Sequence, residues 1–488
     1  MFSFISRAVN TRIDPTSWDP SHAVPVGSSS FTQTFKSTIS SASTVILAPG
    51  GAWSHGTVEF RVQENAEPPT YDAAVNVMTA LDSKKRGPQL ADGEGFLEVN
   101  VEARWNDEEL WKEAEVELRK VGQHNAELVI KTPSMSASRL ASQLSFHVTF
   151  LFPPHISGLT GLRTSGAQWR TIGHGSLSAI HLSNLSISTA NASIAFANTH
   201  ATTASLATVN NSITGEYHAS IIRAHTDNGA VEGKFYALEP ENGTGSSRGA
   251  GSDAGSCEIH TTNNKIKATV RARTMKLYNR NGPIKGDYIA QDRIEIDNTN
   301  GVVSGEFSAG EGGTKVTTGN GPIEGTFKVR RSLYAKTSNG KIDIKVILVG
   351  MEDLSRSSTP DLFDDVKQPD GPGVVKRTNG KIDLEVVTSN GSVVVEVIEH
   401  PEGIELDAKA KTSNASATIK HLAPCDAFFN LSTSNASANL TVPYNHTITY
   451  SHESKNKCEG QFQSKDGPKS VNKFEAKSSN APVSIIIE

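Results

Sequence analysis

Residues 320–346, NGPIEGTFKVRRSLYAKTSNGKIDIKV, decide the fold because they hold two copies of one short phrase. Each copy begins with Asn-Gly and continues with apolar residues at alternate positions, and a second alternating stretch leads into the next Asn-Gly. Alternation with a period of two is typical of a strand with one buried face. Asn-Gly supplies the positive φ angles of a tight turn at low steric cost. The stretch therefore predicts strand, turn and strand, repeated about every 19 residues.

The phrase recurs along the second half of the chain, mostly at steps of 18 to 20 residues. We predict a structural turn ladder formed by Asn210, Asn228, Asn263, Asn281, Asn300, Asn320, Asn339, Asn379, Asn414, Asn435 and Asn480. Weaker copies also begin at Asn191 and Asn390. The predicted core residues are Ile213, Val231, Ile284, Val303, Ile323, Ile342, Ile382, Tyr217, Phe235, Tyr288, Phe307 and Phe327. The 11-residue step from Asn379 to Asn390 does not fit the period.

Two positions of the phrase vary together. Where the fifth residue after the asparagine is Gly, the seventh is Tyr or Phe, as in Gly305 and Phe307. Where the fifth is branched, the seventh is aliphatic, as in Ile344 and Val346. Glycine plus an aromatic ring fills roughly the volume of two aliphatic side chains, and close-packed interiors tolerate volume-conserving exchanges. We interpret these positions as parts of one continuous core.

Two all-β architectures satisfy this pattern. In a β-solenoid, each copy is one rung, strands pair in parallel with the copies before and after, and the corner asparagines stack. In a meander of hairpins, Asn-Gly is a type I′ turn and the strands pair antiparallel. The local pattern fits both, but the fixed period over about 290 residues favours the solenoid.

The sequence divides into three predicted regions. Residues 1–40 are rich in Ser and Pro and are expected to be flexible. Residues 41–155 form a β-rich section that caps the first rung, with strands near 43–47, 57–62, 97–103, 114–118, 128–130 and 145–150 and a helical turn near 106–111. Residues 156–488 hold the solenoid repeats, interrupted by a Gly/Ser loop at 241–256 and an acidic loop at 352–373.

Composition excludes several classes of protein. The 488 residues carry 47 Lys and Arg against 52 Asp and Glu, a net charge of −5, which argues against a nucleic-acid binder that relies on bulk positive charge. No apolar stretch is long enough for a transmembrane helix, and the N-terminus lacks the apolar core of a secretory signal. Three cysteines are too few for a disulfide framework. These features predict a cytoplasmic protein, with non-classical export left open.

The tandem phrases at 337–344, 378–384 and 388–395 resemble the putative-adhesin family of β-solenoid repeat domains of unknown function. Uncharacterised fungal proteins carry similar repeats, and the resemblance covers residues 160–488. It implies a stacked β architecture and an adhesive or binding role, and it supplies no catalytic residues.

Few motifs point to chemistry. Gly173-His174-Gly175 matches one element of pectin-cleaving β-helix hydrolases, but the paired aspartates that those enzymes require are absent upstream, and His174 is expected at a turn. The acidic loop lacks the spacing of a calcium loop. We therefore predict no catalytic, cofactor or metal site.

Three hypotheses follow. The first is a non-enzymatic binding or scaffold protein, adhesin-like, whose partner is a glycan or a protein surface. The second is a glycan-active β-helix enzyme. The third is a self-assembling structural protein joined through its C-terminal strand, where Val483, Ile485 and Ile487 face inward and Ile486 faces outward on an exposed final edge. The alternative is that an N-terminal segment or a loop covers this edge.

Overall fold

The chain forms two compact units, residues 1–255 and 256–488, in a computed structural model that describes residues 29–51, 54–63, 94–122, 124–133, 144–237, 254–350, 380–464 and 472–488. Both units are all-β. Across these ranges the only helical elements are α1 (Glu108–Lys112), capped by the Asp107 carboxylate, and a 3-10 turn at Gly175–Ala179. No helix in the described part of the chain combines the length and apolarity needed to cross a bilayer. The predicted loop at 352–373 and residues 241–253 of the other loop lie outside the described residues.

The described residues of unit 1 form thirteen strands, and each predicted N-terminal strand is present. Their bounds are β1 (Ser29–Ser40), β2 (Thr44–Gly50), β3 (His55–Val62), β4 (Glu94–Trp105), β5 (Glu115–Val121), β6 (Asn125–Lys131), β7 (Leu144–Phe152), β8 (Gly158–Ser165), β9 (Gln168–Gly173), β10 (His181–Ser188), β11 (Ile194–Thr208), β12 (Ile213–Thr226) and β13 (Val231–Ala237).

Two series of hydrogen-bonded strands run through unit 1. One follows the order β1-β4-β7-β3-β9-β11-β12-β13, antiparallel up to β7 and parallel from there. The other follows β5-β6-β2-β8-β10-β11-β12, antiparallel only between β5 and β6. The long strands β11 and β12 belong to both series. The N-terminal section therefore joins the first repeats by continuous parallel pairing.

The structure corrects the expectation that residues 1–40 are flexible, because residues 29–40 form β1. Phe31, Phe35 and Ile39 alternate with polar residues and are buried, and every residue of β1 has a partner on β4. The stretch was predicted to be a flexible segment because Ser and Thr residues separate these three apolar residues. Residues 1–28 lie outside the described residues.

Eighteen strands are present in the described part of unit 2. Their bounds are β14 (Ser256–Thr261), β15 (Ile266–Asn279), β16 (Ile284–Asn298), β17 (Val303–Ala309), β18 (Gly313–Thr318), β19 (Ile323–Val329), β20 (Ser332–Thr337), β21 (Ile342–Leu348), β22 (Gly380–Val387), β23 (Val393–Glu399), β24 (Ile404–Lys411), β25 (Ala417–His421), β26 (Ala427–Thr433), β27 (Ala438–Thr441), β28 (His446–Ser454), β29 (Lys457–Ser464), β30 (Asn472–Ser478) and β31 (Val483–Ile487).

Copies that are neighbours in the sheet of unit 2 pair in parallel, so the antiparallel meander is not the arrangement of these strands. Strands that follow a turn asparagine pair in the order β15-β16-β17-β19-β21-β23-β25-β31-β27. Strands that precede it pair in the order β14-β15-β16-β18-β20-β22-β24-β30-β26. Equivalent offsets meet across each pair, as in Phe307 with Phe327.

The irregular 11-residue step has a topological explanation. Strand β22, which begins directly after Asn379, pairs with β20 and β24, both of which precede a turn. Ile382 is buried, but it lies eight residues before Asn390 and not three residues after a ladder asparagine. Strand β22 is therefore not a separate copy that begins at Asn379. It is the strand that precedes the turn of the copy at Asn390.

The C-terminal strand is not an exposed edge, which corrects the prediction of self-association through it. Strand β31 pairs in parallel with β25 on one side and with β27 on the other. Likewise β30 lies between β24 and β26. The last copy in the sequence is thus inserted between two earlier ones, and the antiparallel hairpin β28–β29 continues the sheet beyond β26. Sequence order could not reveal this insertion.

The twelve predicted core residues are each at most 1% exposed. Aromatic rings from neighbouring copies stack on one another in both units. Ring centroids of Tyr217 and Phe235 lie 5.4 Å apart, those of Tyr288 and Phe307 5.4 Å, and those of Phe307 and Phe327 4.5 Å. Such stacking adds to the free energy of burying each ring.

Candidate functional site: a groove across five strands

The turn asparagines form an amide ladder within each unit. In unit 1, Asn210 Nδ2 donates to Asn191 Oδ1 at 2.6 Å, and Asn228 donates to Asn210 at 2.7 Å. In unit 2 the donors and acceptors continue in the spatial order Asn263, Asn281, Asn300, Asn320, Asn339, Asn390, Asn414, Asn480 and Asn435, with distances of 2.6 to 2.8 Å. Asn379 lies outside the described residues, and Asn390 bonds directly to Asn339.

The turn glycines act differently from the prediction. None of the glycines after a ladder asparagine has a positive φ in the described residues. They are needed because neighbouring turns approach closely: a Cβ on Gly340 would lie 2.0 Å from the carbonyl oxygen of Gly321. A threonine two residues before the asparagine closes the turn, since Thr337 Oγ1 accepts from the Gly340 amide at 3.1 Å and donates to the Gly321 carbonyl at 3.0 Å.

Positive φ occurs instead at the fifth position after the asparagine. Gly305 has φ of 151°, and a Cβ there would lie 1.9 Å from the carbonyl oxygen of Gly286. The link between glycine and a following aromatic ring therefore reflects a backbone conformation that favours glycine as well as conserved volume.

A groove of about 490 Å³ lies on unit 2 where β24, β30, β26, β29 and β28 are neighbours in the sheet. Two outward-facing rows of side chains cross these strands in register. The first row is Asp407, Lys473, Phe428, Gln461 and Thr449. The second row is Lys409, Glu475, Asn430, Glu459 and His452, all but His452 lining the groove. We call this feature the outer groove.

Aromatic side chains give the outer groove its apolar surface. Phe428 is 47% exposed, although β26 buries the adjacent Phe429. Tyr450 is 39% exposed, and its ring meets that of Phe429 edge-on at 5.9 Å. Strand β28 has a register irregularity directly after Tyr450. Exposed rings in a concave site are suited to the flat apolar face of a ligand.

Asn430 supplies an unsatisfied polar group beside these rings. Its Oδ1 atom is inaccessible to solvent and has no hydrogen-bond partner. Buried polar atoms in proteins nearly always have a partner, so Asn430 Oδ1 is one of the few exceptions among the described residues.

The carboxylates of the outer groove are held in ion pairs. Asp407 Oδ1 lies 3.4 Å from Lys409 Nζ, Glu459 pairs with Lys457 at 2.9 Å, and Glu475 pairs with Lys477. The hydrogen bond from Lys457 lowers the pKa of Glu459. A general acid in glycoside hydrolysis needs the opposite shift.

His174 does not occupy a turn position, contrary to the sequence analysis. It precedes the 3-10 turn of unit 1, and its Nε2 lies 2.9 Å from Glu59 Oε2. Burial disfavours ionisation of Glu59, but hydrogen bonds from Arg61 and His174 outweigh it and lower its pKa. The turn position that was expected at His174 is taken by Ala167. Its backbone carbonyl oxygen accepts a hydrogen bond from the backbone amide of Asn191 at 2.7 Å.

No group of three or more metal-ligating side chains comes together in the parts of the chain described. The sequence analysis also missed the outer groove as a site. Its one sequence signal is Phe428, an aromatic residue at an outward position of the alternating segment 427–433. The antiparallel pairing of β28 and β29 that completes the groove beyond β26 has no counterpart in the repeat.

The similarity of this chain to known proteins is slight. No family model and no curated protein matches the chain. A crystal structure described as a putative cell adhesion protein from Clostridium sporogenes aligns over 94% of this chain and 100% of its own, with 7% identity and a TM-score of 0.13. A score this low carries no argument about fold or function.

Proposed function

We propose that this chain is a non-enzymatic β-solenoid scaffold, adhesin-like in role, that presents the outer groove as a ligand-binding surface. The observation that supports it most strongly is the parallel, in-register pairing of successive copies together with the asparagine ladder at their turns. Such stacking makes a rigid support, and rigid sheets position binding groups precisely.

The N-terminal section acts as the cap of this scaffold. Strands β2 and β3 pair in parallel with β8 and β9, and β4 and β7 turn the series antiparallel. This pairing occupies backbone groups that a first rung would otherwise expose.

The chemistry of the groove supports binding more than catalysis. Its carboxylates are paired with lysines, and the hydrogen bond from Lys457 lowers the pKa of Glu459, whereas a general acid needs a raised pKa. Aromatic rings beside amide and charged groups instead fit a ligand with an apolar face and many hydroxyls. We propose that the protein acts in the cytoplasm or at a cell surface.

An array of glycans and surface proteins tests this proposal. Wild-type protein is expected to bind at least one ligand class, and Phe428→Ala is expected to weaken that binding roughly tenfold or more, as loss of an exposed stacking ring in a site does. Tyr444→Ala is the matched control, because Tyr444 is fully exposed and does not line the groove. Binding that survives Phe428→Ala would contradict the proposal, and release of reducing sugar from a polysaccharide would replace it with the enzyme hypothesis.

A further inference from the structure

We propose that the outer groove binds a chain of acidic sugars, with the carboxylate of a uronic acid unit on Lys473. This inference deepens the proposed function and rests on it.

The charges of the groove point to an anionic ligand. Each of its three carboxylates already has a lysine partner, and Lys409 is one of those partners. Lys473 is exposed and makes no ion pair among the described residues. Among the charged groups that line the groove, Lys473 alone makes no ion pair in the described residues, which favours a ligand that brings a carboxylate to that position.

The position of Lys473 also fits a sugar. In the sheet, Lys473 is the direct neighbour of Phe428, and parallel strands lie about 4.8 Å apart. Asn430 projects from the same face of β26 two residues further on. A pyranose ring lying on Phe428 would bring a carboxyl substituent toward Lys473.

The extent of the groove favours an internal segment of a polymer over a single terminal sugar. Its lining comes from five neighbouring strands, a width of roughly 19 Å at the usual strand spacing. Thr449 and Ser451 continue the polar lining on the outermost strand, where hydroxyl groups can exchange hydrogen bonds with further sugar units. Uronic acids recur along a polymer, whereas a terminal acidic sugar would use only one part of this surface.

Calorimetric titration with tetragalacturonic acid and with its methyl ester tests the inference. Wild-type protein is expected to bind the acid roughly tenfold or more tightly than the ester, because a charge-assisted hydrogen bond is stronger than a neutral one. Lys473→Gln should remove this preference and leave affinity for the ester within about twofold of wild type. Lys285→Gln is the matched control, an exposed lysine on β16 that makes no ion pair in the described part of the chain.

Two results would overturn the inference. One is equal affinity of the wild type for the acid and the ester. The other is an equal effect of Lys473→Gln and Lys285→Gln on the preference for the acid. Either can occur while an array ligand still depends on Phe428, so the inference can fail and the proposed function survive. If no ligand of any class depends on Phe428, both fail. Because Lys473 is exposed and outside the core, its substitution leaves the fold intact, which the far-UV circular dichroism spectrum checks.

Discussion

Removing the ring of Phe307 tests whether successive copies share a core. Phe307 is 1% exposed, and its ring lies between those of Tyr288 and Phe327, at 5.4 Å and 4.5 Å. Phe307→Ala removes the transfer free energy of the ring, leaves a cavity and breaks both stacking contacts. We expect a loss of about 4 kcal/mol in the free energy of unfolding unit 2, within the range of 3–5 kcal/mol for such substitutions.

Hydrogen exchange read by mass spectrometry measures this loss locally. A loss of about 4 kcal/mol corresponds to exchange faster by roughly 10³-fold for amides that open with the core, and β16, β17 and β19 should all respond. Phe428→Ala is the matched control, because the same side chain is 47% exposed and its loss should cost under about 1 kcal/mol. If the two variants exchange alike, or if only β17 responds to Phe307→Ala, the shared core is refuted.

Three further predictions concern the turns, the glycines and a buried histidine pair. Asn320→Ala removes two ladder bonds of 2.7 and 2.6 Å and should destabilise unit 2 by about 1–2 kcal/mol in urea unfolding, and an unchanged midpoint would show that the ladder adds no stability. Gly305→Ala, which places a Cβ 1.9 Å from a carbonyl oxygen at a φ of 151°, should cost about 2 kcal/mol or more, and a stabilising effect would contradict that geometry. Burial, with the neighbouring His400, lowers the pKa of His421 to about 4. The unfolded chain therefore takes up the proton first, and stability present above pH 6.5 should fall by about 3 kcal/mol as the pH drops to 4. His421→Leu should lack this part of the pH dependence. If the free energy of unfolding depends on pH identically in wild type and variant, His421 does not contribute to that dependence.

Periodicity was enough to identify the strands, their inward faces and the asparagine turns. A strand with one buried face has apolar residues at alternate positions, and this pattern is visible in the sequence. The cause assigned to the turn glycine, a positive φ, was wrong, and the cause assigned to the glycine at the fifth position was incomplete. Close approach of Gly340 to Gly321 depends on the neighbouring copy, and a sequence read one copy at a time does not contain that distance.

The order of the copies in space could not be predicted from their order in the chain. Every copy has the same edge pattern, so the last one can pair between two earlier ones as readily as at the end. Insertion of β30 and β31 creates the neighbours of Phe428 and places Lys473 beside it. The outer groove is thus a product of topology, which explains why only its exposed aromatic ring left a signal in the sequence.

The distance between Lys267 and Thr418 tests the parallel stacking of copies most directly. Six successive in-register pairings connect these two positions. The native cysteines are buried, so spin labels can be placed on Lys267→Cys and Thr418→Cys and their separation measured by double electron–electron resonance. Parallel stacking predicts a separation of roughly 29 Å at about 4.8 Å per strand. A separation near roughly 58 Å, as expected if each copy were its own antiparallel hairpin, would contradict the account.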